Sequence, residues 1–153
     1  MDLTGELQDA AKRDLTAEVI RRFGEVRLRV TGTSMLPSVW PGDILTVRRR
    51  SASELRTGRI ILCYRNQAFV AHRLIGKHGD GVITRGDSLR FDDPPFRHDE
   101  ILGDVTSILR DGRPVAPTRV WWHRIGSSIV RHSELCTRIL LSLRRRSKLA
   151  WVN

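Results

Sequence analysis

Ser34 lies in the stretch VTGTSMLPSVWPGD (residues 30–43), which follows an apolar run and carries four hydroxyl side chains and two prolines. A serine hydroxyl is a weak nucleophile near pH 7, so a catalytic serine needs a base within hydrogen-bonding distance and donors that face the developing oxyanion. The small residues Gly32 and Thr33 allow a substrate carbonyl to approach and leave backbone N–H groups to donate. A serine in such a turn is usually structural, so its interpretation depends on partners elsewhere in the chain.

His72 and the aspartates of RGDSLRFDD (residues 85–93) are the candidate partners. An imidazole that is neutral near pH 7 can accept a serine proton, and a carboxylate can hold its tautomer and stabilise the imidazolium. The histidines form no cluster with metal-ligand spacing and no glycine-rich phosphate-binding motif is present, so the sequence predicts neither a metal nor a cofactor. Cys63 and Cys136 form no CxxC motif and are expected to be two buried thiols.

Short segments rich in Val, Ile and Leu, separated by Gly, Pro and Asp, occupy residues 26–109 and would position these side chains. The segment VRLRV alternates clearly between apolar and polar residues, as a half-buried strand does. The other candidate strands are DILTV, GRIILCYR, AFVAHRLI, GVITR and ILGDVTSIL. This spacing predicts an antiparallel β domain over residues 25–117, built as a sheet or a small barrel.

Helical patterns flank the β domain on both sides. Over residues 2–23 apolar side chains recur every four residues, which predicts one or two helices packed on the body, and Gly24 supplies a stop. Residues 118–153 carry an apolar stripe beside arginines spaced seven apart, with tryptophans at both ends, which predicts a basic amphipathic helix. The arginines are Arg124, Arg131, Arg138 and Arg145. The sequence therefore divides into segments 1–24, 25–117 and 118–153.

Length and charge narrow the class of protein. The chain has 153 residues and a net charge of +10, which fits one domain whose acidic partner would meet the arginine-rich end. It has no apolar run long enough to span a bilayer, and its N-terminus has acidic residues where a secretory signal has basic ones. The expected location is cytoplasmic, with peripheral contact at a membrane through the basic tail.

Several segments in order resemble the type I signal peptidases and their LexA-like relatives. GTSMLPSVWPGDILTV is similar to their nucleophile segment: a small residue, Ser-Met, one residue, Pro, and then Gly-Asp opening a strand. TGRIILCYR resembles the strand that follows, VAHRLIG the general-base segment, and ITRGDSLRFDDP with ILGDV the later boxes. The resemblance covers residues 26–108. It implies a mainly β, signal-peptidase-like core, a coiled antiparallel sheet or partial barrel, flanked here by an N-terminal helix and the basic C-terminal helix.

The resemblance implies that Ser34 is the nucleophile and His72 the general base. Most bacterial members use lysine, whereas the archaeal and endoplasmic-reticulum members use histidine in a His-Arg pair, as His72 and Arg73 form here. Lys77 lies five residues from His72, so on a strand the two side chains point to opposite faces. The orienting carboxylate maps onto Asp93, with Asp87 as a supporting or structural residue, and the sequence leaves both assignments open.

Some relatives carry an oxyanion-donating serine two residues before the nucleophile, where this chain has Gly32. The oxyanion would then be bound by the backbone N–H of Ser34, with the Thr33 hydroxyl as a neighbour. The resemblance implies an extended protein or peptide substrate that adds beside a sheet edge and is cut after small side chains. The residues expected to line the substrate groove are Met35, Leu36 and Pro37.

The sequence therefore predicts a serine endopeptidase of the signal peptidase type without the transmembrane anchor, and no nucleic-acid partner is expected for it. The alternative is a non-catalytic or regulatory protein of the same fold, whose basic tail binds a membrane surface or nucleic acid. Against a LexA-like repressor, residues 1–24 are too short for a helix-turn-helix domain and the lysine base is missing.

Overall fold

The computed structural model describes residues 3–116, which contain one α-helix and an antiparallel sheet of eight strands. The elements in chain order are α1 (Leu3–Phe23), β1 (Glu25–Arg29), β2 (Ile44–Arg48), β3 (Ile60–Arg65), β4 (Ala68–His78), β5 (Gly81–Arg85), β6 (Phe96–Arg97), a 3-10 turn (His98–Glu100), β7 (Ile101–Arg110) and β8 (Arg113–Val115). The predicted C-terminal helix lies outside the described residues.

The sheet confirms the prediction of a mainly β protein. Its strand order is β1-β2-β7-β3-β4-β5-β6, and β8 pairs with the end of β7. All six predicted strand segments form strands, whereas β6 and β8 were missed because two or three residues are too few to show an alternating pattern. The sequence predicted either a sheet or a small barrel. The structure has an open sheet, because its edge strands do not pair with each other.

Apolar side chains cover both faces of the sheet. In β3, Ile60 and Leu62 join a large cluster with α1, while Ile61 and Cys63 join a smaller cluster on the opposite face. Successive strand residues point to opposite faces, so a strand covered on both sides is apolar at every position. This double burial explains why the sequence reads IILC there instead of alternating.

Helix α1 confirms the predicted helix but packs through a different face from the one predicted. Ala17 and Ile20 are fully buried, whereas Leu15 and Phe23, both on the predicted stripe, are 66% and 75% exposed. A four-residue repeat drifts by about 40° per step around an α-helix, so over the length of α1 the stripe turns away from the sheet. Gly24 ends the helix at φ +81°, as expected. No helix in the described part of the chain is long and apolar enough to cross a bilayer.

Residues 30–43 form a compact turn that closes between β1 and β2. The Val30 N–H donates to the carbonyl of Asp43, and the Gly42 N–H donates back to the carbonyl of Val30. The Asp43 side chain is fully buried and accepts hydrogen bonds from the Trp40 N–H at 2.8 Å and from the Arg110 guanidinium. Asp43 is thus a structural residue of the turn that contains Ser34.

Candidate active site

Three segments that are distant in sequence bring Ser34, His72 and Asp93 together. Nε2 of His72 lies 2.9 Å from Oγ of Ser34, and Nδ1 of His72 lies 2.7 Å from Oδ2 of Asp93. A carboxylate can only accept, so Nδ1 carries the proton and Nε2 accepts from the serine hydroxyl. The side chains of His72 and Asp93 are 9% and 17% exposed. The three groups therefore form a continuous hydrogen-bonded chain in which His72 and Asp93 are largely buried.

Two β-strands hold the histidine and its carboxylate. His72 lies on β4, opposite Ile61 of the buried strand β3. Asp93 follows β5, where its backbone N–H donates to the Thr84 carbonyl at 2.8 Å and its carboxylate accepts from the Thr84 hydroxyl. Thr84 is fully buried and was missed by the sequence analysis, because nothing in the pattern of β5 distinguishes it from an ordinary strand residue. It fixes Asp93 from both the main chain and the side chain.

Asp87 lies against Arg73 of β4. The Arg73 guanidinium donates two hydrogen bonds to the Asp87 carboxylate, at 2.8 and 2.7 Å, and a third to the Gly58 carbonyl at 2.6 Å. The Ser38 hydroxyl also donates to Asp87. Of the two aspartates that the sequence left open, Asp93 is the one bonded to the histidine. Asp87 joins β4 to the Ser34 turn through a buried ion pair.

Ser88 holds the carbonyl group of Ser34 in place. Its backbone N–H and hydroxyl donate to the Ser34 carbonyl at 3.0 and 2.8 Å, and the hydroxyl also lies 3.1 Å from the Thr33 carbonyl. A Cβ on Gly86 would come within 2.6 Å of the Ser34 carbonyl, so this close approach requires glycine. Sequence reasoning assigned no role to Ser88 or Gly86. The glycine of the RGD tripeptide was nevertheless a signal that another backbone segment could approach closely here.

The backbone N–H of Ser34 is a candidate oxyanion donor. It belongs to the same planar peptide as the Thr33 carbonyl, and the two groups point in opposite directions. Hydrogen bonds from Ser88 and from the Leu36 N–H hold that carbonyl and so orient the Ser34 N–H. Within the described part of the chain, this N–H donates to no other group.

A groove of about 720 Å³ opens beside Ser34 and His72. The end of β1 with the start of the turn (residues 28–32) lines it on one side, and residues 66–72 line it on the other. Along residues 68–72, β4 pairs with β3 by one edge, and its pairing with β5 begins only at Arg73. Among the described strands, β1 pairs only with β2. Two strand edges without a neighbouring strand therefore border the groove.

Met35 lines the groove as expected, but Leu36 and Pro37 do not. Thr33, which was expected as a neighbour of the oxyanion, is not among the lining residues either. Leu36 is fully buried, and the Pro37 carbonyl accepts a hydrogen bond from the Trp40 indole at 2.8 Å. The Val39 N–H donates to the Met35 carbonyl at 3.0 Å, so the turn brings these two residues close together. The groove side of the turn therefore presents Met35 and Val39. Of these two, the sequence analysis did not select Val39.

Within residues 3–116, no group of three His, Cys, Asp or Glu side chains is arranged to hold a metal ion. Cys63 is a free thiol whose pKa is raised to about 12 by burial, with smaller contributions from Glu100 and Asp93, so it is not a nucleophile near neutral pH. In comparisons with known proteins, no family model matches this chain and no curated protein is detectably similar to it. The functional interpretation therefore depends on the geometry of the site.

Proposed function

We propose that the protein is a serine endopeptidase resembling the histidine-type signal peptidases, with Ser34 as nucleophile, His72 as general base and Asp93 as the carboxylate that orients it. The observation that carries the proposal is the hydrogen-bonded chain from Ser34 through His72 to Asp93 at the end of an open groove. Nucleophile, base and orienting group within hydrogen-bonding distance of one another are the requirement for nucleophilic catalysis by serine.

The reaction follows from the positions of the protons. The Ser34 hydroxyl attacks the peptide carbonyl while Nε2 of His72 takes its proton, and Asp93 stabilises the imidazolium through Nδ1. The Ser34 N–H donates to the oxyanion of the tetrahedral intermediate. His72 then gives the proton to the leaving amine, and water hydrolyses the acyl-enzyme with His72 again acting as base.

An extended peptide is the substrate form that suits this groove. Strand edges without a neighbouring strand border it on both sides, so a peptide lying between them could pair its main chain with residues 28–32 and 68–72. The apolar side chains of Met35, Val39 and Leu28 would contact its side chains. The resemblance to signal peptidases adds the expectation of small side chains before the scissile bond.

Peptide hydrolysis by matched variants tests the proposal. The wild-type protein, Ser34→Ala, His72→Ala and the double variant are incubated with a mixed peptide library, and products are identified by mass spectrometry. Each single variant is expected to lose about 10³-fold or more in kcat, and the double variant no more than either single one, because the two residues act as a unit.

Ser53→Ala and His98→Ala are the control variants, since both residues are exposed and lie outside the groove. They are expected to keep wild-type activity. The proposal fails if the wild-type protein cuts no peptide, or if Ser34→Ala, with thermal unfolding like that of the wild type, cuts as fast.

A further inference from the structure

The groove beside Ser34 is positively charged at its rim. Arg13 of α1 and Arg29 at the end of β1 line it, and no aspartate or glutamate is among its lining residues. The other lining residues are apolar or neutral apart from the catalytic pair.

Both arginines belong to, or contact, segments that lead to the reacting groups. Arg29 precedes Ser34 by five residues, and Nη1 of Arg13 lies 3.4 Å from the carbonyl of Gln67, which precedes His72 by five residues. An extended chain rises about 3.3 Å per residue, so the backbone of Arg29 lies at most about 17 Å from Ser34, and the backbone of Gln67, which Arg13 contacts, at most about 17 Å from His72. A peptide side chain three to five residues from the scissile bond would reach them.

An acidic residue, Asp14, lies next to Arg13 in the sequence of α1. Its carboxylate accepts a hydrogen bond from the Tyr64 hydroxyl. Arg29 forms no ion pair with a carboxylate of the residues that the structure describes. A carboxylate arriving with the substrate therefore meets two guanidinium groups that line the groove.

We infer that the groove selects extended peptides that carry an aspartate or glutamate three to five residues to one side of the scissile bond, held by Arg13 and Arg29. This inference rests on the proposed peptidase function for its cleavage step, but binding of an acidic peptide does not depend on cleavage. Contacts between exposed charges are modest in size, so the preference is expected to be about three- to tenfold and to weaken as salt rises.

Alanine-rich peptides that differ at one position test the inference. Aspartate, asparagine or lysine is placed at each position on either side of the cleavage site, and kcat/KM is measured with the wild-type protein. Binding of the same labelled peptides to Ser34→Ala is measured by fluorescence anisotropy. Aspartate is expected to exceed asparagine about three- to tenfold at one or two positions in both assays, with lysine weakest.

The variants Arg13→Gln and Arg29→Gln are expected to reduce this ratio, and Arg29→Glu to shift the preference towards lysine. Arg27→Gln is the matched control, because Arg27 is an exposed arginine of the same strand outside the groove and its loss changes the net charge equally. Equal binding and cleavage of the three peptides would overturn the inference. So would an equal effect of Arg27→Gln, which would show that the general field of a basic protein is responsible.

The two assays separate this inference from the proposed function. An aspartate preference in binding without any cleavage by the wild-type protein would refute the peptidase and leave the acidic selectivity supported. Cleavage with no preference at any position in either assay would support the peptidase and refute the selectivity.

Discussion

Replacing Asp93 by asparagine removes one charge from the site while keeping the size of the side chain. The carboxylate accepts from Nδ1 of His72 at 2.7 Å. If the asparagine turns its amide nitrogen towards His72, the imidazole must carry its proton on Nε2 and can no longer accept from Ser34. If it turns its oxygen, the tautomer survives but the imidazolium loses its counter-charge.

Both orientations predict a large loss. At 2.7 Å the attraction between an imidazolium and a carboxylate is about 6 kcal/mol at an effective dielectric constant of about 20. This value is an upper bound, because the side chain of Asp93 is 17% exposed to water. The tautomer change costs about 10⁴-fold in kcat where it has been measured in such triads. We expect a decrease in kcat of about 10³- to 10⁴-fold, equivalent to roughly 4–5.5 kcal/mol.

The assay compares kcat and KM of Asp93→Asn with those of the wild type on one cleaved peptide. Asp92→Asn is the matched control, because Asp92 is the adjacent aspartate, is 46% exposed and pairs with Arg85 at 3.3 Å. It is expected to stay within about twofold of wild type. A loss below tenfold for Asp93→Asn in a normally folded protein, or an equal loss in the control, would refute the assignment of Asp93.

Three further predictions concern stability and reactivity. Asp87→Ala removes two hydrogen bonds from the buried guanidinium of Arg73, so the free energy of unfolding in urea should fall by about 3–5 kcal/mol, and a loss below about 1 kcal/mol would contradict this. Hydrogen bonds from Arg65 lower the pKa of Glu100 from 4.5 to about 2. The ionised Glu100 therefore stabilises the folded protein above about pH 4.5, and this contribution is lost as the pH falls towards 2. Glu100→Gln should flatten that part of the curve of unfolding free energy against pH, and an unchanged curve would count against the ion pair. Burial raises the pKa of Cys63 to about 12, so in a variant lacking the other cysteine a thiol reagent at mildly alkaline pH should react only after unfolding, whereas rapid labelling of the folded protein would contradict the burial.

The six longer strands were predictable because each is rich in Val, Ile or Leu and is bounded by turn residues. The packing face of α1 was not, since Leu15 and Phe23 belong to an apolar repeat that drifts around the helix while Ala17 and Ile20 meet the sheet. A spacing pattern selects a helix, but the neighbouring surface decides which side of it is buried.

The groove shows the same limit at the level of single residues. Met35 was predicted to line it and does, whereas Leu36 and Pro37 were predicted and do not. Their neighbour Val39 lines it instead, because a hydrogen bond from the Val39 N–H to the Met35 carbonyl folds the turn back on itself. The turn is held by Asp43 at its own end and by Arg110, which comes from a distant part of the chain and bonds to Asp43.

By itself the sequence determined the mainly β fold and the residue types available for catalysis, including a serine in a small-residue turn and a histidine on a strand. Only the tertiary structure decided which aspartate meets His72, because Ser34 and Asp93 lie 38 and 21 residues from it in the chain. The pairing of β4 with β5 sets the distances in space, because it brings Asp93 to His72 and Asp87 to Arg73. A hydrogen bond depends on positions to within a fraction of an ångström, and such positions come from packing rather than from local pattern.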